Sequence, residues 1–175
     1  MGKQDLREQT VDTYNKLAKE LAEYLRGIDP RTKDIDFALQ AAGNGKQSRV
    51  LEIGCGNGRD AKYIVGKVDW YQGFDISEEL IKLAREHVPG GKFEVADAVN
   101  FHYPENLDVI FAFASLLHLD EDEVRRVIQN AALALKPGGI FYISLKCGSE
   151  YLEWVKQDKF GTRFFITRMP RLSQS

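Results

Sequence analysis

The sequence predicts an α/β domain with a doubly wound, mostly parallel sheet and helices on both of its faces. Hydrophobic residues alternate between helix-like and strand-like spacing along the chain, which is typical of that class. The segment Leu107–Phe113 is apolar apart from Asp108, as expected of a strand buried on both faces of a parallel sheet. A glycine-rich turn, Gly54–Gly58, joins a strand-like segment to a helix-like one. A chain of 175 residues has the length of a single domain.

Two helical segments precede the first predicted strand. Residues 5–26 carry apolar side chains at helical spacing, and Gly27 can end that helix. A second, shorter helix is predicted over about residues 33–42. We therefore divide the chain into an N-terminal helical segment, residues 1–47, and a core, residues 48–175, which together form one structural domain.

In the core, five predicted strands alternate with helices. Ser77 can cap the helix after the second strand, and Asp120 with Glu123 has the spacing of a capping box. Beyond the fifth strand, Tyr151–Lys156 is predicted as helical and Arg163–Thr167 as a strand. The predicted strands are Arg49–Ile53, Trp70–Phe74, Phe93–Ala96, Leu107–Phe113 and Ile140–Leu145.

The composition argues against several classes of partner. The net charge is −2 and the sequence pI is about 6.0, so no basic surface for nucleic acid is indicated. No signal peptide and no membrane-spanning segment is recognisable, which predicts a cytoplasmic protein without a membrane partner. Cys55 and Cys147 are too few for a disulfide framework, and no Cys/His cluster has the spacing of metal ligands, so no metal site is predicted.

The strongest motif is VLEIGCGNG, residues 50–58, between a predicted strand and a predicted helix. Its three glycines, Gly54, Gly56 and Gly58, permit tight turns and let a ligand approach the backbone closely. A dinucleotide-binding fingerprint would have its third glycine at the position of Arg59. No Gly-Lys-Ser/Thr sequence follows, so the turn is not a phosphate-binding P-loop either.

Acidic residues follow the second and third predicted strands, at the carboxyl ends where sheets of this kind bind their ligands. Asp75 can accept hydrogen bonds from ribose hydroxyls, and the neighbouring Ile76 can cover one face of a purine. Asp97 can accept a hydrogen bond from the exocyclic amine of adenine, while the backbone N–H of Ala98 binds a ring nitrogen. The sequence therefore predicts a site for a nucleoside beside the glycine turn.

Five stretches of the chain occur in the order and at the intervals of one known family. They are VLEIGCGNGRD (50–60), GFDIS (73–77), EVADA (94–98), LDVIFAFASLLHL (107–119) and LKPGGIFYISL (135–145). On these stretches, the chain resembles the class I S-adenosylmethionine-dependent methyltransferases, which have a Rossmann-like fold, and especially their small-molecule branch. The resemblance implies S-adenosyl-L-methionine as the cofactor and a small-molecule acceptor as the partner.

The resemblance also implies roles for individual residues around the glycine turn. The turn Gly54–Gly58, with Cys55 inside it, would hold the methionine part of the cofactor, and Glu52 would fix the turn from behind. Phe113 and Ala114 would line the site near the transferred methyl group.

Two further roles concern residues outside these strand ends. Residues 14–25 resemble the lid helix of the small-molecule branch, in which Tyr14 would lie near the cofactor, although Leu21 replaces a second expected aromatic residue. His118, just past the fourth predicted strand, is the candidate for acid–base catalysis. Its alternative interpretation is a buried or helix-capping histidine.

The sequence leaves other functions open, and it also leaves open how the sheet ends after the fifth strand. A non-catalytic methyltransferase-like module that binds the cofactor, a dinucleotide-dependent oxidoreductase and a nucleic-acid methyltransferase are the alternatives. The resemblance implies seven strands, but only about 30 residues follow the fifth, so the last two strands are predicted to be missing. The fifth strand would then present an open edge, covered by residues 160–168, by the partner subunit of a homodimer or by a swapped segment.

Overall fold

The computed structural model describes residues 3–146, 152–159 and 161–167, and its architecture confirms the predicted α/β class. Cys147 and Tyr151 lie outside the described residues. None of the helices formed by the described residues combines the length and the hydropathy that a transmembrane span requires.

The helices confirm most of the predicted pattern. Those described are α1 (Lys3–Lys16), α2 (Ala18–Arg26), α3 (Thr32–Ala42), α4 (Ala61–Val65), α5 (Glu78–His87) and α6 (Glu121–Ala134). The single helix predicted over residues 5–26 is divided at Leu17, whose backbone (φ −113°, ψ 21°) is not helical. Beyond this break, α2 packs on α5 and buries Ala18, Leu21 and Ala22. Tertiary packing thus interrupts a helical pattern that is continuous in the sequence.

The two predicted helix caps are present. The hydroxyl of Ser77 accepts a hydrogen bond from the backbone N–H of Leu80 at 3.3 Å, at the start of α5. At the start of α6, the Asp120 carboxylate accepts from the backbone N–H of Glu123, and the Glu123 carboxylate accepts from that of Asp120, both at 2.9 Å. These reciprocal bonds satisfy backbone donors that the first turn of a helix leaves unpaired.

Five strands form one parallel sheet in the order β3-β2-β1-β4-β5. They are β1 (Arg49–Ile53), β2 (Trp70–Asp75), β3 (Lys92–Val95), β4 (Leu107–Phe113) and β5 (Leu135–Ser144). β5 begins earlier than predicted, because Leu135 already pairs with Leu107. The pairing of the two strands is then interrupted and resumes where Ile140 pairs with Val109. The crossover from β3 to β4 returns the chain to the other side of β1, which creates the topological switch at which such sheets bind ligands.

The sheet is buried on both faces, as the apolar character of β4 predicts. Phe111 packs in the cluster on one face and Ile110 in the cluster on the other. Asp108 is the exception in this strand, and its buried carboxylate accepts from the backbone N–H of Arg49 and the side chain of Asn44, both at 2.7 Å. Lys136 forms an ion pair with the same carboxylate, so the buried charge is compensated.

The last described segment corrects one prediction. Tyr151–Lys156 is predicted as helical, but β6 (Leu152–Asp158) is a strand that pairs antiparallel with β7 (Gly161–Thr167). Trp154 stacks on Phe165 across the pair, with ring centroids 4.9 Å apart, and such cross-strand contacts override a local helical pattern. The strand prediction over Arg163–Thr167 agrees with β7.

The β6–β7 hairpin forms a sheet of its own and is not an addition to β5. Residues 161–167 pack on α1, so the prediction that this part of the chain covers the edge of β5 is wrong. The hydroxyl of Thr10 accepts from the backbone N–H of Phe164 at 2.9 Å, and that of Thr13 donates to the Thr162 carbonyl at 2.8 Å. These bonds attach the hairpin to the N-terminal helix.

Candidate functional site

A cavity of about 420 Å³ opens at the carboxyl ends of β1 to β4, within the size range of small-molecule sites. Twelve of the thirteen residues that the sequence analysis selects lie in its wall. They are Tyr14, Glu52, Gly54, Cys55, Gly56, Asp75, Ile76, Asp97, Ala98, Phe113, Ala114 and His118. Gly58 is not in the wall; a Cβ at this position would lie 3.3 Å from Cα of Ala84, so its missing side chain lets α5 approach.

The glycine turn has the conformation that its sequence predicts. Gly54, Gly56 and Gly58 have φ angles of 69°, 55° and 82°, in the left-handed region that favours glycine. A Cβ on Gly54 would lie 2.3 Å from Cβ of Ser115, so this glycine serves the packing of β1 against β4. A Cβ on Gly56 would meet no described atom within 4 Å. Gly56 is therefore the position where the backbone is open to a ligand.

Asp75 holds the glycine turn to the start of α5. Its carboxylate accepts from the backbone N–H of Gly56 at 3.0 Å and from that of Ser77 at 2.9 Å. Burial raises the pKa of Asp75, and the backbone hydrogen bonds oppose that rise. A carboxylate can accept about four hydrogen bonds, so Asp75 retains capacity for donors of a ligand.

The loop after β3 is tied to the N-terminal helix through Arg7, which the sequence analysis missed. The Arg7 guanidinium donates to the Asp97 carboxylate at 2.6 Å and to the Glu123 carboxylate at 2.5 Å. The Asp97 oxygen bound by Arg7 also accepts from the backbone N–H of Val99 at 3.0 Å. We call the contact of Arg7 with Asp97 and Glu123 the Arg7 bridge. It keeps α1 over the cavity.

Glu52 lies at the base of the cavity and is only 2 % exposed. The Tyr71 hydroxyl donates to its carboxylate at 2.6 Å. Burial is the main cause that raises the pKa of Glu52 to about 8, and the nearby Asp60 carboxylate adds to that rise. Glu52 is therefore mostly uncharged at neutral pH, and its recorded hydrogen bond is the one from Tyr71.

Asp60 forms hydrogen bonds with two arginines in another part of the cavity wall. It accepts from the backbone N–H of Arg31 at 2.9 Å, from Nη1 of Arg31 at 2.5 Å and from Nη2 of Arg59 at 2.8 Å. Arg59 and Asp60 both line the cavity. The Arg31 guanidinium also lies over the ring of Phe113, 5.0 Å from its centroid.

Tyr14 and His118 form a hydrogen-bonded pair that no local sequence pattern discloses. The Tyr14 hydroxyl lies 3.0 Å from Nε2 of His118, and Nδ1 lies 2.5 Å from the carbonyl oxygen of Phe164. A carbonyl only accepts, so Nδ1 carries the proton, Nε2 is the acceptor and the Tyr14 hydroxyl donates. Burial lowers the pKa of His118 to about 4 and raises that of Tyr14, so both side chains are neutral at physiological pH.

The β6–β7 hairpin contributes charged residues to the cavity wall that the sequence analysis also missed. Arg163 is buried and donates to both carboxylate oxygens of Asp158 at 2.9 Å. Lys156 forms an ion pair with the same carboxylate at 2.8 Å. All three side chains line the cavity. The Arg163 guanidinium also opposes the rise in the pKa of Tyr14, which places the hairpin next to the Tyr14–His118 pair.

Several features show that a polar ligand fits this wall. Ala114 has a left-handed backbone (φ 51°), a strained conformation for a residue other than glycine that is typical of binding sites. Nε of Arg59 and the hydroxyl of Ser115 are buried and, among the described residues, have no hydrogen-bond partner. An open backbone at Gly56, a carboxylate at Asp75 and these unused donors suit a nucleoside with an amino-acid tail. Within residues 3–146, 152–159 and 161–167, no group of three His, Cys, Asp or Glu side chains could hold a metal ion.

The sequence profile of the family described as "Methyltransferase domain" matches residues 50–139, which is more than half of the chain. The chain belongs to the class I S-adenosylmethionine-dependent methyltransferases. The matched region of this methyltransferase runs from β1 into β5 and contains the glycine turn, Asp75 and Asp97.

Curated relatives of this methyltransferase domain act on different small molecules according to their names. Phosphoethanolamine N-methyltransferase of Plasmodium falciparum (isolate 3D7) is 32% identical over 127 residues, which cover 66% of this chain and 48% of that protein. Trans-aconitate 2-methyltransferase of Rhodopseudomonas palustris (strain BisB18) is 30% identical over 127 residues, covering 70% of this chain and 48% of that protein. The methyltransferase domain thus spans about half the length of these two relatives.

Solved structures show the same fold. The structure described as "DhpI-SAH complex structure" superposes with a TM-score of 0.71 at 22% identity and covers 94% of this chain and 80% of that one. Phosphoethanolamine N-methyltransferase 1 of Haemonchus contortus, in complex with phosphoethanolamine and S-adenosylhomocysteine, has a TM-score of 0.67 at 21% identity, covering 86% of this chain and 34% of that one. At these identities the comparison supports the Rossmann-like architecture.

Proposed function

We propose that this methyltransferase domain binds S-adenosyl-L-methionine and transfers its methyl group to a small-molecule acceptor. The observation that carries the proposal is the convergence of Gly56, Asp75 and Asp97 on one cavity beside the Tyr14–His118 pair. When bound, the cofactor supplies a methyl group activated by a positively charged sulfonium. The protein positions the reacting groups, excludes water and moves protons.

The individual binding roles follow from the positions of the side chains. Asp75 has acceptor capacity for the ribose hydroxyls, and Ile76, at the mouth of the cavity and 37% exposed, can cover the adenine. Asp97 and the backbone of Ala98 bind the polar edge of the base. The Arg7 bridge holds α1 across this part of the site, so within residues 1–47 it is α1 that acts as a lid over the core, residues 48–175, whereas α3 packs against β4 and β5.

The acceptor in this proposal is an anionic small molecule. Arg163 lines the cavity next to Tyr14, and Lys156, which shares the Asp158 carboxylate with Arg163, lines the same cavity. Two cations against one carboxylate leave a net positive charge that attracts a phosphate or carboxylate group. The names of the relatives support this class, because phosphoethanolamine and trans-aconitate are both anionic. Salt should therefore raise the KM for the acceptor by screening this attraction.

The Tyr14–His118 pair provides a path for the proton that a neutral acceptor loses. Nε2 of His118 has a free lone pair for the Tyr14 proton because Nδ1 is committed to the Phe164 carbonyl. As the nucleophile gives its proton to the Tyr14 oxygen, the Tyr14 hydroxyl proton passes to Nε2. His118 is thus the proposed acid–base residue; its low pKa leaves Nε2 unprotonated at neutral pH and also makes it a weak base.

Calorimetric titration with S-adenosylhomocysteine tests cofactor binding. We expect the wild-type protein to bind and the Asp75→Ala variant to lose affinity by about tenfold or more, since charge-assisted hydrogen bonds contribute about 1.5–3 kcal/mol. Equal affinity of both proteins, or no binding by either, contradicts the proposal. Methyl transfer to a panel that includes phosphoethanolamine and trans-aconitate then separates the enzyme from a non-catalytic module, which would bind the cofactor without turnover.

Two further expectations accompany the proposal. We place the reaction in the cytoplasm, where Cys55 stays reduced; it is a free, buried thiol whose pKa is raised by burial.

We also propose a homodimer through the edge of β5, the last strand of the five-stranded sheet. Light scattering of the purified protein checks the dimer, and a clean monomer at micromolar concentration contradicts it.

A further inference from the structure

The Asp97 side chain lies between two cavities, so packing alone does not fix its orientation. Asp97 borders the 420 Å³ cavity at the strand ends and a second cavity of about 830 Å³, and Arg7 borders both as well. The Asp97 and Arg7 side chains are 26% and 23% exposed. The terminal torsion of an aspartate has a broad range, so with open space on two sides its orientation depends on its hydrogen bonds.

The hydrogen bonds that described residues donate to the Asp97 carboxylate all reach one oxygen. Oδ1 accepts from Nη2 of Arg7 at 2.6 Å and from the backbone N–H of Val99 at 3.0 Å. Within the described part of the chain, no hydrogen bond reaches Oδ2. The carboxylate is therefore oriented from one side and retains an acceptor on the other.

Arg7 is itself held in place by the start of α6. Nη1 of Arg7 donates to Oε1 of Glu123 at 2.5 Å, and Oε2 of Glu123 accepts from the backbone N–H of Asp120 in the capping box. A guanidinium is planar and donates in a rigid fork, so fixing one nitrogen also fixes the direction of the other. The capping box thus fixes the guanidinium that contacts Asp97.

A carboxylate oxygen can distinguish two purines that differ only at position 6. The 6-amino group of adenine donates hydrogen bonds, whereas the 6-oxo group of hypoxanthine accepts them, and a carboxylate oxygen only accepts. Oδ2 makes this distinction only if its lone pairs face the base. The orientation of Asp97 therefore determines how strongly the site selects adenine.

We propose that Arg7 is a positioning residue for adenine recognition, which turns Asp97 so that Oδ2 meets the 6-amino group of the cofactor. The assignment rests on the proposed function, because it presupposes an adenosyl cofactor. It is distinct from the role of Arg7 in holding α1, which affects every ligand of the cavity equally.

Calorimetry with two ligands tests the assignment: S-adenosylhomocysteine, and S-inosylhomocysteine, which has a 6-oxo group in place of the 6-amino group. The ratio of the two affinities is measured within each variant, so a general loss of affinity or stability cancels. We expect the wild type to favour S-adenosylhomocysteine about tenfold or more, and Arg7→Gln to lower this ratio about fivefold or more. Arg125→Gln, an exposed arginine on α6, is the matched control and should keep the wild-type ratio.

A second variant reverses the hydrogen-bonding character of the Asp97 side chain. In Asp97→Asn, the Arg7 guanidinium keeps the amide oxygen on its own side, so the amide nitrogen donates where Oδ2 accepts. The ratio should then shift toward S-inosylhomocysteine about tenfold or more. Adding Arg7→Gln lets the amide turn over and should remove most of that shift. The backbone N–H of Ala98 is present in every variant, so changes in the ratio report the side chain at position 97.

Three outcomes overturn the assignment. Equal losses of both ligands in Arg7→Gln would mean that Arg7 only holds α1. A shift in Asp97→Asn that persists when Arg7→Gln is added would mean that the Val99 N–H suffices to orient the side chain. A wild type that binds both ligands equally well would leave cofactor binding intact but remove the selection by Asp97. If the wild type binds neither ligand, the proposed function itself fails, which is a distinguishable result.

Discussion

The hydroxyl of Tyr14 lies 3.0 Å from Nε2 of His118, although 104 positions separate the two residues in the chain. The ring of Phe165 packs against this pair, with its centroid 4.8 Å from that of the His118 ring. The Phe164 carbonyl fixes the histidine tautomer from the opposite side. In this arrangement Nε2 of His118 is the hydrogen-bond acceptor and the Tyr14 hydroxyl is the donor.

Removing either polar group of this pair should impair turnover but not cofactor binding. We expect Tyr14→Phe and His118→Asn to lower kcat by about 100-fold or more, the usual range for general acid–base groups. The affinity for S-adenosylhomocysteine should change by less than about threefold, because Phe retains the Tyr14 ring in the wall. Tyr63→Phe removes an exposed hydroxyl that bonds Asp36, and it should leave kcat unchanged. A His118→Asn variant with full activity would show that the pair is structural.

Glu52 should make the protein less stable as the pH rises. Its folded-state pKa of about 8 lies above the ordinary value of 4.5, so between these values the folded state holds a proton that the unfolded state has released. Unfolding is therefore favoured progressively as the pH increases through this window. Glu52→Gln stays neutral and can still accept from Tyr71. Its Tm should exceed that of the wild type by several degrees at pH 8.5 and approach it at pH 4.5.

Thermal melts across this range provide the measurement. The control is Glu105→Gln, an exposed carboxylate outside the cavity wall, whose melting curve should follow the wild type at each pH. A constant Tm difference between Glu52→Gln and the wild type at all pH values would refute the linkage.

The first two glycines of the turn should respond differently to alanine. Each substitution places a Cβ on a left-handed backbone, which costs about 1–2 kcal/mol. Gly54→Ala also collides with Ser115, and overpacking adds about 1–3 kcal/mol, so this variant should lose the most stability in urea unfolding. The added Cβ of Gly56→Ala meets no atom of the described residues within 4 Å, so this variant should fold but bind S-adenosylhomocysteine at least about tenfold more weakly. The reverse order of stabilities would contradict the packing described for the turn.

Breaking the Arg7 bridge should loosen the N-terminal helix. Arg7→Gln removes charge-assisted bonds to Asp97 and Glu123, all three side chains being less than a third exposed, at a cost of about 1–2 kcal/mol. Hydrogen exchange of the α1 amides should accelerate, and S-adenosylhomocysteine should dissociate faster. Arg125→Gln again supplies the control. Unaltered exchange in α1 would mean that the hairpin contacts suffice to hold the helix.

Much of the fold could be predicted because its signals are local. β1 and β4 have the predicted bounds, since short apolar runs between turn residues specify buried strands. The caps at Ser77 and Asp120 depend on residues three positions apart. The glycine turn and Asp75 also combine local sequence with a position at a strand end, and both lie in the cavity.

The missed features depend on contacts between distant segments. Arg7 reaches Asp97 across 90 positions, and nothing in the sequence around either residue indicates the pairing. The apolar residues of the segment that forms β6 have a spacing compatible with either a helix or a strand. Its pairing with β7 decides its conformation. Arg163 belongs to the site only because that hairpin folds back onto α1.

The attachment of the β6–β7 hairpin to α1 has a kinetic consequence. Hydrogen bonds of Thr10 and Thr13 attach α1 to the β6–β7 hairpin. Neither α1 nor the hairpin can therefore move away from the cavity without breaking hydrogen bonds to the other. Under the proposed function, we expect cofactor exchange and acceptor exchange to require one collective opening, whose frequency would set an upper limit on the turnover rate.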